Sequence, residues 1–457
     1  MKELRYELAV SRIREMMDEE TVEEKFRDYF RTVGAFVLLI DETNQKLRSG
    51  SFEKYSMEEL AAWNAKLYED ILPDVYDRSY GNPAYATEKL GAEYGPVLSA
   101  LYAEIRGAIA YVYEQKIEYL DILFELFVEI YNQFEEGPVV KNVQDTIYWY
   151  ASDYCDVFVA DRILDQVDAS RSFATDIIRE SDLTDLRYLY SFGEYISASE
   201  IRTARHLLEL DESVIAKMAD VYTEGYRIGF VNTGKDLTKK KSVNIRYVLG
   251  FERVVKKAIE NFEKMGLSPV IYRSGVSMLT KRQHLKIGYY GAIANKQYEY
   301  DHRDDQALLL DKKFVERKLE VMQTTYEHCK DLARVFAGPA CIEMFGEEPF
   351  VPEVKEEVLT LNEKQQELSV SFDSRQSQLV NTYIPGDERS FTIIAYPVPE
   401  IGDKYEEIFD EIIRINTLDA KVYEKVQQTL IDALDQGTCV RILGGNGNCT
   451  DLTVQLH

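Results

Sequence analysis

The sequence predicts an all-α array of helices, then an α/β domain with a doubly wound, mostly parallel sheet, and then a β-hairpin. Residues 1 to about 235 show helical apolar periodicity throughout. After about residue 245, short apolar runs alternate with amphipathic segments, as in folds that place helices on both faces of a parallel sheet. Two alternating runs then flank Asn446-Gly447. We therefore expect three parts: 1–235, 245–436 and 437–457.

The first part is predicted to be helical by its apolar spacing and its capping signals. Ser56 lies three residues before Glu59, a pattern that predicts a capping box at a helix start. Leu123 and Ile130 widen the apolar stripe of the clearest helix, which we expect to be buried on much of its surface. That stripe has alternate spacings of four and three residues and consists of Tyr113, Ile117, Leu120, Phe124, Phe127, Tyr131 and Phe134.

Residues 232–244 form a polar segment that we interpret as a solvated linker between the two parts. Its lysines could bind phosphate, but a solvated linker is the favoured interpretation of a short charged run. The lysines are Lys235, Lys239, Lys240 and Lys241.

The second part alternates predicted strands and helices. Gly266 ends an amphipathic helix that begins near residue 251. The apolar run 391–397 is nearly continuous, which predicts a strand covered on both faces. The other predicted elements are strands at 268–274 and 341–346, a helix at about 312–334, a helix at 403–415 with Tyr405, Ile408, Phe409 and Ile412 inward, and a helix at 421–434 with Val422, Val426 and Leu430 inward.

The third part is predicted to be a hairpin with strands from Val440 to Leu443 and from Asp451 to Leu456. Asn446 and Gly447 suit the two turn positions that need positive φ. A hairpin that ends one residue later leaves an open sheet edge. The expectation is therefore a truncated hairpin, the start of a missing domain in which much of the function would lie.

Composition excludes several classes of protein. The 457 residues include 80 acidic and 54 basic side chains, for a net charge of −26, which disfavours nucleic acid and anionic membranes as partners. No apolar run approaches the roughly 20 residues of a membrane-spanning helix. Five cysteines without a C-x-x-C pair favour free thiols in a reducing cytoplasm. They are Cys155, Cys329, Cys341, Cys439 and Cys449.

The run YDHRDD at 300–305 is the best metal candidate, because Asp301, His302, Asp304 and Asp305 offer imidazole and carboxylate ligands. Adjacent residues of a turn rarely all point at one ion, however. We favour a charged loop over a metal site.

The remaining candidates are weaker. His328 and Cys329 are adjacent on a predicted helix and do not share a face, so they do not form a base and its nucleophile. His206 has no partner at metal-ligand spacing, and H-E-x-x-H is absent. The glycine-rich run 444–448 follows no nucleotide-binding pattern and is predicted to form the hairpin turn. From the residues themselves we assign no catalytic, cofactor-binding or metal-binding side chain.

Four segments resemble the amino-terminal part of the aminopeptidase T (leucyl aminopeptidase) family of metallo-aminopeptidases, in its long bacterial form with a helical extension. The resemblance runs from about Glu224 to His457, and the helical half before it fits more loosely. The segments are TEGYRIGF, GYYGAIANKQYEYDHRDDQALLLDKKFVERKLEVM, RSFTIIAYPVPEIGDKYEEIFDEIIRINTLDAKVYEKVQQ and NCTDLTVQLH.

The resemblance implies a cytosolic two-domain enzyme that removes N-terminal residues from peptides, in a homodimer. Two divalent ions (zinc, cobalt or magnesium) would polarise the scissile carbonyl and activate a bridging water. The family's ligands are two glutamates, two histidines, an aspartate and a nearby tyrosine, and all of them would follow His457. The chain as given is therefore expected to bind no metal and to be inactive alone.

Two other functions remain open at this point. One is a non-catalytic binding or scaffold protein on the same fold. The other is an α/β transferase that binds a nucleotide at the carboxyl ends of its strands, for which no phosphate-binding loop is found.

Overall fold

The computed structural model describes residues 2–281 and 286–456. Their contacts divide the chain into two compact units, Met1–Tyr405 and Glu406–His457. The predicted helical part and most of the predicted α/β part belong to the first unit. The predicted boundary near residues 235–245 thus marks a change of secondary structure inside one unit.

The first 232 residues are helical, as predicted. Their α-helices are α1 (Lys2–Met16), α2 (Glu24–Arg48), α3 (Met57–Tyr68), α4 (Pro83–Leu90), α5 (Gly95–Arg106), α6 (Ala108–Tyr113), α7 (Ile117–Glu135), α8 (Val140–Asp153), α9 (Cys155–Val167), α10 (Phe173–Glu180), α11 (Ala198–Glu209) and α12 (Glu212–Asn232).

Helix α7 carries the predicted apolar stripe from Ile117 onward and lies in the main core, whereas Tyr113, the first residue of the predicted stripe, ends α6. Leu120, Phe124 and Phe127 are fully buried, and so are Leu123 and Ile130, which widen the stripe. An apolar face this wide needs neighbours on several sides, and α7 packs against α1, α6 and α8. The expectation of a largely buried helix is confirmed.

The predicted capping box at the start of α3 is also confirmed. The Glu59 backbone N–H donates to the Ser56 hydroxyl at 3.2 Å, and the Ser56 N–H donates to the Glu59 carboxylate at 2.7 Å. These two bonds satisfy backbone donors that a helix start otherwise leaves unpaired.

From residue 242 to residue 397, strands and helices alternate. The elements are β1 (Ser242–Val248), α13 (Glu252–Lys264), β2 (Ser268–Val270), β3 (Tyr289–Tyr290), α14 (Lys296–Asp301), α15 (Lys312–His328), α16 (Lys330–Arg334), β4 (Phe336–Phe345), α17 (Glu363–Tyr383) and β5 (Thr392–Pro397). The predicted helix at 312–334 is therefore broken between His328 and Lys330. The strands pair in parallel in the order β2-β1-β4-β5, and β3 also pairs with β1. The predicted parallel α/β sheet is confirmed.

The central strand β1 begins inside the segment that the sequence predicted to be a linker. Its residues Val243, Ile245 and Tyr247 are fully buried. Lys240, just before it, is 3% exposed and donates to the Arg334 carbonyl at 2.9 Å and to the Glu388 carboxylate at 3.1 Å. The prediction of a solvated linker was wrong at this end. Lys240 can be buried because these two acceptors satisfy its ammonium.

Strand β5 is an edge strand, because it pairs only with β4 among the described strands. Ile393 is 52% exposed and the preceding Phe391 is 64% exposed. The prediction that this run is covered on both faces was wrong. An apolar run shows that a strand is favourable there but not whether it lies at the centre or the edge of its sheet.

The second unit follows the start of α18 (Tyr405–Asn416) and contains α19 (Ala420–Leu434), β6 (Cys439–Leu443) and β7 (Asp451–Gln455). Strands β6 and β7 form the predicted antiparallel hairpin, with Val440 opposite Val454. Asn446 has φ 53° and Gly447 has φ 90°, as that turn requires.

The predicted inward face of α19 is not buried. Val422, Val426 and Leu430 are 63%, 52% and 59% exposed. The prediction was wrong because helical periodicity defines an apolar face without defining what packs on it. Among the described residues, no helix has both the length and the apolar character needed to cross a bilayer.

Candidate functional site

A cleft of about 620 Å³ lies at the carboxyl ends of three strands of the sheet. Arg273 follows β2, Gly291 follows β3 and Glu347 follows β4, and all three residues line the cleft. Further lining residues, such as Ile109 and Tyr195, come from the helical part. Open parallel sheets bind ligands at this edge, so the cleft is the candidate site.

Arg273 links the sheet to the helical part within the cleft. Its side chain is 6% exposed and lies over the Tyr289 ring, 5.2 Å from the ring centroid. Its Nε donates to the Glu114 carboxylate at 2.7 Å, and its other N–H groups donate to Glu194 and to the carbonyls of residues 192–193. Burial alone would raise the pKa of Glu114, but Arg273 and Lys116 together outweigh it and lower that pKa. The buried cation is therefore fully compensated.

The loop after Arg273 is fixed by a buried carboxyl of α5. Glu104 accepts the Met278 backbone N–H at 2.8 Å and the Tyr150 hydroxyl at 3.3 Å, and burial raises its pKa. A Cβ at Gly275 would meet the Thr280 carbonyl oxygen at 2.7 Å, so this close approach requires glycine.

Two lysines of the cleft differ in how their charges are compensated. The Lys281 ammonium pairs with the Glu299 carboxylate. Burial would raise the pKa of Glu299, but the charges of Lys281, Lys286 and His302 together outweigh this effect and lower that pKa. Lys286 Nζ instead lies 4.2 Å from the centroid of the Tyr290 ring. Within the described residues, the Lys286 ammonium makes neither a hydrogen bond nor an ion pair.

The backbone at the cleft also carries unpaired donors. A Cβ at Gly288, where φ is 125°, would overlap the Tyr272 carbonyl, and a Cβ at Gly291 would overlap the Tyr195 carbonyl. Glycine therefore allows this segment to approach its neighbours closely. Several backbone N–H groups of lining residues donate no hydrogen bond within the part of the chain that the structure covers, among them those of Gly275, Val276, Ile293 and Ala294.

The acidic run at 300–305 is a buried polar junction. Asp301 accepts the Tyr76 hydroxyl at 2.8 Å and the Lys355 ammonium at 2.6 Å on one oxygen, and the Gln297 amide at 2.7 Å on the other. Asp304 pairs with the neighbouring Arg303 at 3.4 Å. The side chains of this run are thus directed at different partners.

Both ring nitrogens of His302 lie within hydrogen-bond distance of an oxygen acceptor. Nδ1 lies 2.7 Å from the Asp305 carboxylate, and Nε2 lies 2.6 Å from the Gly81 carbonyl oxygen. Because a carbonyl oxygen only accepts, Nε2 carries a proton, and a second proton on Nδ1 suits the carboxylate. Burial alone would lower the pKa of His302, but the Asp305 charge outweighs it and raises that pKa.

Replacing Asp305 with asparagine is expected to lower the pKa of His302, because the carboxylate that favours the imidazolium is lost. NMR titration of the ring proton, assigned with a His302→Gln variant, measures the change. Asp304→Asn is the control, since Asp304 pairs with Arg303 instead. Equal titration midpoints for His302 in wild type and Asp305→Asn would contradict the assigned pairing.

The other sequence candidates lie apart from one another. His206 is buried beside the Tyr405 ring. His328 is exposed at the end of α15 while Cys329 is buried, so the two do not act together. Run 444–448 is the hairpin turn, as predicted. In the described parts of the chain, no three or more histidine, cysteine or acidic side chains are grouped so that they could hold a metal ion.

Comparison with known proteins identifies no relative: no protein-family model, no curated protein and no solved structure matches this chain. Sequence reasoning singled out neither Arg273 nor Lys286. Arg273 could have been found, because it is a charged residue at the carboxyl end of a predicted strand of a parallel sheet. Lys286 lies between elements and carries no such signal.

Proposed function

We propose that this chain is the helical and α/β portion of a cytoplasmic metal-dependent aminopeptidase, and that its cleft holds the peptide. One observation carries the proposal. One of the four segments that resemble the family, residues 288–322, begins with β3 and α14, and its residues 290–296 all line the cleft. The part of the sequence that carries the resemblance therefore also forms the candidate site.

The chemistry of the cleft suits a short peptide. Its volume of about 620 Å³ is in the range of small-ligand sites. Aromatic side chains such as Tyr195 and Tyr290 offer contact area, and unpaired backbone N–H groups offer donors for peptide carbonyls. Side chains of both charge signs line it, as a ligand with a free amine and a free carboxylate requires.

The described residues do not fit the pair of metal ions that hydrolysis needs. Both nitrogens of His302 and both carboxylate oxygens of Asp301 are already engaged by protein groups. We therefore assign this chain the binding of the peptide, and no chemical step. The cytoplasmic location is supported by the five cysteines, all of which are free thiols.

Calorimetric titration of the purified chain with the tripeptide Leu-Gly-Gly tests the proposal. Saturable binding is expected in wild type, and loss of binding is expected in Ala294→Trp, because the indole would occupy the cleft. Ala62→Trp, at an exposed position of α3 that does not line the cleft, is the matched control. Equal binding by wild type and Ala294→Trp, or no binding by wild type, would contradict the proposal.

A hydrolysis assay with leucine p-nitroanilide and cobalt, zinc or magnesium is expected to show no turnover by this chain. Metal-dependent turnover would mean that the ligands lie within these residues after all. The alternative of a non-catalytic binding protein also predicts binding without turnover. Sequencing the coding DNA past the last codon separates the two, since only the enzyme proposal requires segments with glutamate and histidine ligands there.

A further inference from the structure

We propose that the cleft contains a subsite for a carboxylate, in which Lys286 and the unpaired backbone N–H groups bind the free C-terminus of a short peptide. The inference rests on the proposed function and names its substrate class: peptides short enough for their C-terminal carboxylate to enter the cleft.

The first support is the distribution of charge among the cleft residues. Arg273 is neutralised by Glu114 and Glu194, and Lys281 by Glu299. Lys286 differs, because no carboxylate lies within ion-pair distance of its ammonium in the described residues. The carboxylates whose charges act on Lys286, Glu347 first among them, lie beyond that distance, so its ammonium has no direct ionic contact within the described residues.

The second support is the way Lys286 is held. Its ammonium lies over the Tyr290 ring, a contact that orients the charge but provides no hydrogen-bond acceptor. The surrounding cleft removes water from the ammonium, and this loss of hydration lowers its pKa although part of the side chain stays exposed. An ammonium in this condition gains more from a bound anion than one fully in water.

The third support is the set of donors that line the same cleft. The backbone N–H groups of Gly275, Val276, Ile293 and Ala294 have no acceptor within the described segments. Unpaired backbone N–H groups are a recurring part of anion sites, and these groups line the same cleft as Lys286. A carboxylate has two oxygens and about four lone-pair directions, so it can satisfy Lys286 and several of these N–H groups together.

The fourth support explains why a peptide suits the cleft better than a simple anion. Glu347 and Glu348 line the same cleft, and both are exposed. Their charges attract the free amine of a peptide, which offsets their repulsion of its carboxylate, whereas a plain anion has no such compensating group. A ligand with separated charges of both signs is therefore favoured over phosphate or acetate.

The test compares Leu-Gly-Gly with the same peptide amidated at its C-terminus, by calorimetry on the whole chain. We expect amidation to weaken binding to wild type about tenfold or more, since a charge-assisted contact is lost. Lys286→Met should weaken binding of the free peptide by a similar factor and leave the amide unchanged. Lys286→Arg should retain the preference, and Lys364→Met, an exposed lysine outside the cleft, controls for total charge.

Each outcome decides a separate question. If both peptides bind wild type equally and Lys286→Met changes neither, the carboxylate subsite is refuted while peptide binding by the cleft stands. If neither peptide binds wild type, the proposed function fails and the subsite fails with it. Inorganic phosphate that competes with the free peptide at similar concentrations would instead indicate a general anion site and overturn the choice of a peptide.

Discussion

Replacing Arg273 with methionine is expected to lower the free energy of unfolding of residues 1–405 by about 3–5 kcal/mol. The guanidinium is buried, and it compensates two carboxylates of the helical part, Glu114 and Glu194. Methionine fills similar volume but leaves Glu194 without this cation and Glu114 with Lys116 alone. Urea unfolding measures the loss, and tryptophan fluorescence reports on this unit because Trp63 and Trp149, the two tryptophans of the chain, both lie in it.

Two further variants identify the cause of the lost stability. Arg227→Met removes a cation from an exposed pair with Glu224 and should change the free energy of unfolding far less than Arg273→Met does. The triple variant Arg273→Met, Glu114→Gln, Glu194→Gln removes the stranded charges and should be more stable than Arg273→Met alone. A loss in Arg273→Met no larger than that in Arg227→Met would show that the buried ion pairs contribute little.

Replacing Glu252 with glutamine is expected to change the free energy of unfolding of the first unit by an amount that depends on pH. The variant should gain up to about 3 kcal/mol relative to wild type between pH 5 and pH 8. Glu252 is fully buried at the start of α13, where its carboxyl accepts the Tyr188 hydroxyl at 2.7 Å and the Gly250 N–H at 2.8 Å. Burial raises the pKa of Glu252 to about 7.

The sign follows from proton binding in the folded and unfolded states. Between the ordinary pKa of a glutamate and about 7, the folded protein holds a proton on Glu252 that the unfolded chain releases. Stability is therefore fully present below the lower value and is lost as the pH rises through about 7. Glutamine resembles the protonated acid and does not titrate, so the variant lacks this loss.

Urea unfolding of wild type and Glu252→Gln at several pH values between 5 and 8 measures this effect. Glu180→Gln, at an exposed position of α10, is the control, and its difference from wild type should stay constant over this range. The assignment of Glu252 as a buried titrating acid is refuted if the difference between wild type and Glu252→Gln is also constant.

Local features were predictable from the sequence because they depend on residues close together in the chain. The stripe of α7, the capping pair Ser56 and Glu59, and the turn at Asn446-Gly447 each lie within one element or one turn. Their spacing and conformational preferences are properties of the local backbone. The succession of helices and parallel strands follows from the same local patterns.

The site was less predictable, because its chemistry comes from contacts between distant segments. Arg273 and Glu114 are 159 positions apart, and Asp301 and Tyr76 are 225 positions apart. In the sequence alone, the acidic run at 300–305 looks like a set of metal ligands. In the fold, its side chains are engaged by other protein groups. Lys286 stands out only once the neighbouring cations are seen to be paired.

The sequence by itself determined the helical first part, the presence of a parallel sheet and the final hairpin, but the central strand β1 lies where no strand was predicted. Only the tertiary structure decided that Lys240 is buried, that β5 lies at an edge, that the apolar face of α19 is exposed, and that three strand ends form a cleft. The physical reason is that periodicity specifies which face of an element is apolar or charged. Burial and charge compensation depend on which distant segment packs against that face.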